Sequence, residues 1–281
     1  MQDYDFNRVS VTALIPAFAR AEYTDIPLAK EMFGCLSALG VSLEEGPWNE
    51  NAVQRYAAFF EARFKAVNRI LEEYKAAQVL ELAAGLSPRG MDFAKRGIVY
   101  VEADLAESTA RKREVVTAVL GHVPATLHLC AASVLDREEL LACCHAFTNG
   151  PVAIATEGLL RYLTFPEKQQ LASNVHEILS SFGGFWVTTD IHLRHWAQAH
   201  GRPFPRVSET ERLGRNLDPN YFDDLEHARE FFERCGFEVE SRPLLEGIRE
   251  QVISLPNATE ELLAELNDRR TFTLRVPTGR I

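Results

Sequence analysis

Gly85 and Asp104 are spaced as the two ends of a nucleoside site are. Gly85 follows an apolar run, Val79-Leu80, a lone acid, Glu81, and the small residues Ala83 and Ala84. Small side chains at such a turn let backbone N–H groups approach a polar ligand closely. Asp104 stands 19 residues further on. An acid about 20 residues beyond the turn is where nucleoside-binding α/β proteins hold ribose hydroxyls. A carboxylate suits a vicinal diol because it accepts two hydrogen bonds. The plainer role for Asp104 is to cap the helix that starts at Leu105. Glu102 competes for the ribose role, because strand alternation turns it the same way.

The turn also separates ligand classes. The three glycine positions of a GxGxxG fingerprint read Ala83, Gly85 and Pro88, and no GK[ST] occurs. Nothing here cradles a pyrophosphate or a triphosphate. A nucleoside without phosphates needs less cradle, and S-adenosylmethionine is one. Glu81-x-Ala83-x-Gly85-x-Ser87 is an acceptable form of its turn. An NAD(P)-dependent oxidoreductase on a similar sheet is the alternative, and a cofactor-binding protein without turnover is a third reading. Ser87 reads as a helix N-cap and Pro88 as the first helical residue.

Two histidines offer acid–base chemistry. His192 and His195 follow Asp190, just past an apolar strand, where an acceptor would bind. Either could serve as a general base for a hydroxyl acceptor. Their spacing puts them on one face if that stretch is helical. No third ligand accompanies them, so the sequence implies no metal.

These residues need a frame. Apolar runs at Val79–Ala83, Ile98–Ala103, Ala125–Cys130, Val152–Thr156 and Phe185–Thr189 read as strands with helical patterns between them. Asp136 with Glu139, and Thr164 with Glu167, are capping-box signatures. Such alternation predicts a parallel sheet covered on both faces. Ligands then bind beyond the carboxyl ends of the strands, which points to Ser133, Val134, Glu157 and Gly158 as well. Phe237–Val239 and Phe272–Val276 alternate as late, half-buried strands. Tyr221–Cys235 reads as helical. Glu50–Lys75 carries a helical stripe of Val53, Ala57, Phe60, Phe64, Val67, Leu71 and Tyr74, with Arg55 and Arg63 beside it. Residues 1–75 read as a helical cap, 76–281 as the core domain, and 191–220 as an insertion over one sheet edge.

Bulk properties bound the function. The 281 residues carry 30 basic and 40 acidic side chains, a formal net charge of −10. That balance, without a basic run, argues against a nucleic-acid partner. No apolar run is long enough to cross a membrane, and the N-terminus lacks the apolar core of a signal peptide. The five cysteines form no CxxC pair and read as reduced, buried thiols in a cytoplasmic protein. The oligomeric state is not legible.

Several segments together resemble the leucine carboxyl methyltransferase family. VLELAAGLSPRG is similar to its ELGAGxDTR segment, with Ser87-Pro88 in place of Asp-Thr and Arg89 matching the Arg. VYVEADLAESTARKRE resembles its second-strand stretch, where Asp and Leu-Pro precede a Lys; Ala106 replaces the Pro. IATEGLLRYL resembles its (A/S)EGVLMYL stretch, which places Glu157, Gly158 and Tyr162 on family positions. The resemblance spans roughly residues 50–190. It implies a class I S-adenosylmethionine-dependent methyltransferase with a Rossmann-like, seven-stranded, mostly parallel α/β sheet. It implies that Arg63 pairs with the methionine carboxylate and Glu157 with its amino group. Asp104 would hold the ribose and Gly85 would allow close approach. Ser133 and Val134 would lie beside the adenine, where the family has Asp-Leu. The expected reaction is methyl transfer to an oxygen of a small-molecule or carboxyl-terminal acceptor, with His192, His195 and Tyr162 as candidate catalytic residues.

Overall fold

The computed structural model describes residues 13–38, 50–198 and 217–277. Its described helices are α1 (Leu14–Tyr23), α2 (Ala29–Ala38), α3 (Glu50–Glu73), α4 (Arg89–Lys95), α5 (Ala106–Leu120), α6 (Arg137–Cys143), α7 (Phe165–Phe182), α8 (Arg194–Gln198), α9 (Leu225–Arg234) and α10 (Glu260–Asp268). The strands are β1 (Gln78–Leu82), β2 (Val99–Asp104), β3 (Leu127–Ala131), β4 (Val152–Thr156), β5 (Gly184–Thr188), β6 (Glu238–Pro243) and β7 (Arg270–Arg275). They form one seven-stranded sheet in the order β3-β2-β1-β4-β5-β7-β6. The first five strands run parallel, and β7 is antiparallel to both of its neighbours. The expected strands appear within two residues of their expected limits, except that β6 runs on to Pro243, four residues past the expected Val239.

Side-chain alternation builds a core on each face. Leu80, Leu82, Val101, Ala103, Ile154 and Trp186 face α6, α7 and α9. Val79, Tyr100, Leu127, Ala153, Phe185 and Val187 face the opposite way, against residues of α1 to α5. A third cluster joins α1 and α3 to residues 244–266. The helices before β1 therefore supply part of the cover of one sheet face.

Local signals set the helix limits. Thr164 and Glu167 form the full capping box at α7. At α6 only half of the motif forms: Asp136 accepts from the Glu139 N–H, while the Glu139 carboxylate accepts from the Ser133 N–H instead. The helix after the first turn begins at Arg89, one residue later than expected, and the Ser87 hydroxyl accepts from the Arg89 N–H. The stripe of α3 is buried except for Tyr74, which lies past the helix end against Phe185. Arg55 is exposed, whereas Arg63, two turns on, is buried. The helix expected from Tyr221 begins only at Leu225, behind an Asp224 cap, because Phe222 pairs with Leu193 as an isolated bridge. Cys143 and Cys144 are buried, but Cys35, Cys130 and Cys235 are only half-buried, less than the sequence suggested. Residues 199–216, most of the expected insertion, lie outside the described residues. Among the described residues no helix is long and apolar enough to cross a membrane.

Candidate active site

The strand order reverses at β1, which lies between β2 and β4, so the crevice beyond its carboxyl end is where a ligand fits this sheet. The turn after β1 places Ala83 at φ +51° and Gly85 at φ +50°. Glycine takes that left-handed region freely and alanine at a cost. The turn thus adopts the glycine conformation at 83 without the glycine. The Asp104 carboxylate accepts from the Gly85 N–H at 2.6 Å and from the Leu105 N–H at 2.7 Å. Ser108 adds a side-chain hydrogen bond to the same carboxylate. Burial raises the Asp104 pKa, with the two N–H groups working against that rise. Gly85 and Asp104 line one small cavity with Ala84 and Ser108, and Glu102 and Lys112 also border it.

Register explains why Glu102 is not the equal of Asp104. Glu81 on β1 and Glu102 on β2 stand opposite each other. Both are buried, at 2% and 3% exposed. Like charges placed so would repel, and each has its own cation. Glu81 pairs with Arg89 and accepts from the Tyr100 hydroxyl at 2.8 Å. Glu102 pairs with Lys112 at 2.8 Å. Glu81, expected to contact a cofactor, is therefore committed to the interior of the sheet, with Ala83 after it shaping the turn.

At the β4 tip, Glu157 gathers cations. Its Oε1 accepts from Arg20 on α1, and its Oε2 from Arg89 at 2.7 Å. Burial alone would raise its pKa, but Arg20, Arg89 and Arg63 outweigh it and hold the carboxyl at about 2. Arg89 bridges Glu81 and Glu157, and Arg63 pairs with Asp190 at 2.8 Å. Asp190, 1% exposed, also accepts from the N–H groups of Gly158, Leu159 and Leu160. Gly158, at φ +85°, lets Arg63 pass close by. One helix spans these tips. Ala13, just before α1, lies against Gly85 at one end, and Arg20 reaches Glu157 at the other.

The remaining candidates divide. Ser133 and Val134 lie half-buried past the β3 tip, one residue beyond Ala132, whose N–H bonds the Asp104 carbonyl. His192 is buried between Phe59 and Tyr221, with ring centroids at 6.5 and 6.2 Å. Tyr162 packs with Leu217 and the same Tyr221. His195 does not join them: it is exposed and lies 3.2 Å from Asp268. The helical face expected for the two histidines fails because α8 starts at Arg194, after His192. Among the described residues there is no His, Cys, Asp and Glu grouping that could hold a metal.

Sequence reasoning missed Arg20, which shares Glu157 with Arg89, and Tyr221, which packs against both His192 and Tyr162. Arg20 gave one signal, a charge buried among Ala17, Ala19 and Ala21 on an apolar helix. Tyr221 gave none, since its role depends on a contact across 29 and 59 residues of chain.

The leucine carboxyl methyltransferase family model matches residues 19–176, more than half of the chain. No curated protein matches significantly. Among solved structures, the methyltransferase domain of bacterial CtHen1 aligns with a TM-score of 0.51 at 12% identity, covering 77% of this chain and 98% of its own. Magnesium protoporphyrin IX methyltransferase from Synechocystis PCC 6803, with bound SAH, aligns with a TM-score of 0.51 at 9% identity, covering 83% of this chain and 90% of its own. Identities this low speak for the fold, a Rossmann-like methyltransferase sheet.

Proposed function

The chain belongs to the leucine carboxyl methyltransferase family, and on that premise we propose that it methylates an oxygen of a small-molecule or carboxyl-terminal acceptor. Membership makes it an S-adenosylmethionine-dependent methyltransferase and sets aside the oxidoreductase reading. The residue roles and the oxygen acceptor are our own reading of the site.

The observation that carries this reading is the span of α1. A small-residue turn and an ionised acid, on neighbouring strands, face one edge beneath a single helix. The donor set fits the cofactor. The Asp104 carboxylate, with three donors on about four acceptor sites, keeps room for a ribose hydroxyl. Gly85 allows close approach, and Ser133 and Val134 flank the adenine. Arg63, joined by Arg20, faces the methionine carboxylate, and Glu157 faces the ammonium. Glu157 suits an ammonium because the surrounding guanidiniums keep it ionised throughout the physiological range.

When bound, the cofactor supplies a methyl group made electrophilic by its sulfonium. The chain's own contribution is alignment, since the displacement needs the acceptor oxygen in line. A carboxylate acceptor is already ionised at neutral pH and needs no base. A hydroxyl acceptor needs one, and His192 is then the residue to take the proton, with Tyr162 and Tyr221 shaping the wall beside it. His195 is left at the surface with Asp268.

Calorimetry with S-adenosylhomocysteine and NADH tests the cofactor site; binding of NADH alone would overturn the reading. Transfer of labelled methyl to an acceptor panel, followed by mild alkali, tests the oxygen. Label released as methanol marks a carboxyl ester, and alkali-stable label located on oxygen by NMR marks a hydroxyl ether. Label found only on nitrogen or carbon would sink O-methylation.

A further inference from the structure

Lys112 is a buried cation with no assigned task. Only 2% of it is exposed, and its stem runs from α5 beneath the turn that follows β1. Its Nζ donates to the Gly85 carbonyl at 3.2 Å and to the Ser87 carbonyl at 2.5 Å. The third partner is Glu102, at 2.8 Å. Gly85 is thereby gripped at both ends of one residue: its N–H by Asp104 and its carbonyl by Lys112. Glu102 and Lys112 border the cavity that Gly85 and Asp104 line.

The surroundings of Glu102 leave it little freedom. Gly90 on α4 packs so closely that a Cβ there would overlap the Glu102 carboxylate. The charged and titratable groups facing it are Lys112 from α5, Glu81 from β1, and Asp104 and Tyr100 from its own strand. Glu81 is already occupied by Arg89 and the Tyr100 hydroxyl. Lys112 is thus the cation that neutralises Glu102, and Glu102 is the only acid in ion-pair contact with Lys112 among the described residues.

We propose that Lys112, anchored by ionised Glu102, is the positioning residue of the cofactor turn, so that cofactor affinity depends on this pair. The proposal rests on the reading of Gly85 and Asp104 as the ribose end of the site. Lys112 holds two carbonyls in place and so fixes which way the intervening N–H groups point. Burial, opposed by Lys112, raises the Glu102 pKa to about 7. As pH falls through neutrality Glu102 takes a proton and the ammonium loses its counter-charge. A buried cation without a partner is costly, so Lys112 withdraws and the turn is released. Glu102 acts in the opposite sense on stability. Its folded pKa lies above its unfolded value, so its contribution to stability is greatest in acid and declines as pH rises toward 7.

Two readouts test this. Hydrogen exchange of the amides at 85–87 in ligand-free protein reads the clamp alone. Calorimetry with S-adenosylhomocysteine at pH 6 and pH 8 reads its effect. Lys112→Met should speed exchange at those amides at least tenfold and weaken binding at least tenfold, and Lys112→Arg should recover part of both. Wild-type affinity should rise several-fold from pH 6 to pH 8, while Glu102→Gln stays flat at the pH 6 level. Unchanged exchange and affinity in Lys112→Met overturn the proposal, as does an identical pH profile in wild type and Glu102→Gln. A wild type that binds no S-adenosylhomocysteine at either pH overturns the cofactor reading instead. The exchange arm then decides the clamp by itself, and it needs no variant that must fold, since the wild-type pH series alone should show faster exchange at pH 6 after correction for intrinsic rates.

Discussion

At the β1–β2 end of the catalytic edge, Gly85 and Asp104 are joined by a hydrogen bond from backbone to side chain. At the β5 end, His192 and Tyr162 each pack against Tyr221. The first region is made of strand tips, whose positions follow from the ladder once the strands pair. The second is made of segments that are far apart in the chain and brought together by aromatic packing. A cofactor common to a family suits the first kind of construction. An acceptor that differs between proteins suits the second, where loops can change without disturbing the sheet. The ion pairs follow the same division: the carboxylates of Glu81, Glu102, Glu157 and Asp190 are largely covered and paired near the sheet, while His195 and Asp268 meet in solvent.

The sharpest way to break this contrast is to remove the cation shared by β1 and β4. Arg89→Met leaves Glu81 and Glu157 buried without their common partner, and should cost about 3–5 kcal/mol of stability, read from urea unfolding. A cost below about 1 kcal/mol would mean that the cofactor half is not held by its ion network.

Asp104→Ala should leave the fold standing and weaken S-adenosylhomocysteine binding by about 1–3 kcal/mol, the order expected for lost hydrogen bonds to a charged group. Unchanged affinity would detach the ribose role from the β2 tip.

Acid titration sharpens the same comparison. The folded pKa of Glu157, about 2, lies below its unfolded value. Its contribution to stability is complete above the ordinary carboxylate pKa of about 4.5 and is lost as pH falls toward 2. The stability advantage of wild type over Glu157→Gln should therefore shrink between pH 5 and pH 2.5. A constant difference would show that Arg20 and Arg89 do not hold the carboxylate.

Ala83→Gly should raise stability by up to about 1 kcal/mol, because it relieves a left-handed alanine but adds freedom to the unfolded chain. A fall in melting temperature would argue that the methyl packs usefully. The smallest effect belongs to the other end of the edge: His195→Ala should change stability by no more than about 0.5 kcal/mol and leave turnover intact. A large loss of turnover would return His195 to the catalytic group and unsettle the division between the two halves.

Much of the sheet was legible because a buried strand needs an apolar run and a turn needs small residues, and both are local properties. The order of α/β elements, the capping box at Thr164, and the placement of Gly85, Asp104 and Glu157 at strand tips all came from such local patterns. Asp104 and Glu102 could not be separated by alternation, since both point the same way. Cross-strand register separated them by setting Glu102 opposite Glu81 and supplying Lys112 from a helix ten residues on. The histidine pair misled for a similar reason. Spacing carries a shared face only if the backbone is helical, and the Leu193–Phe222 bridge keeps His192 out of the helix.

The sequence by itself determined the fold class, the family and the strand ends that form the edge, because hydrophobic period and turn chemistry are written within a few residues of where they act. Tertiary structure alone decided which acids are free to meet a ligand and which are spent on the interior. That choice depends on the cation nearest in space, and Arg20, Arg89 and Lys112 reach their carboxylates across strands and helices whose approach no local pattern records.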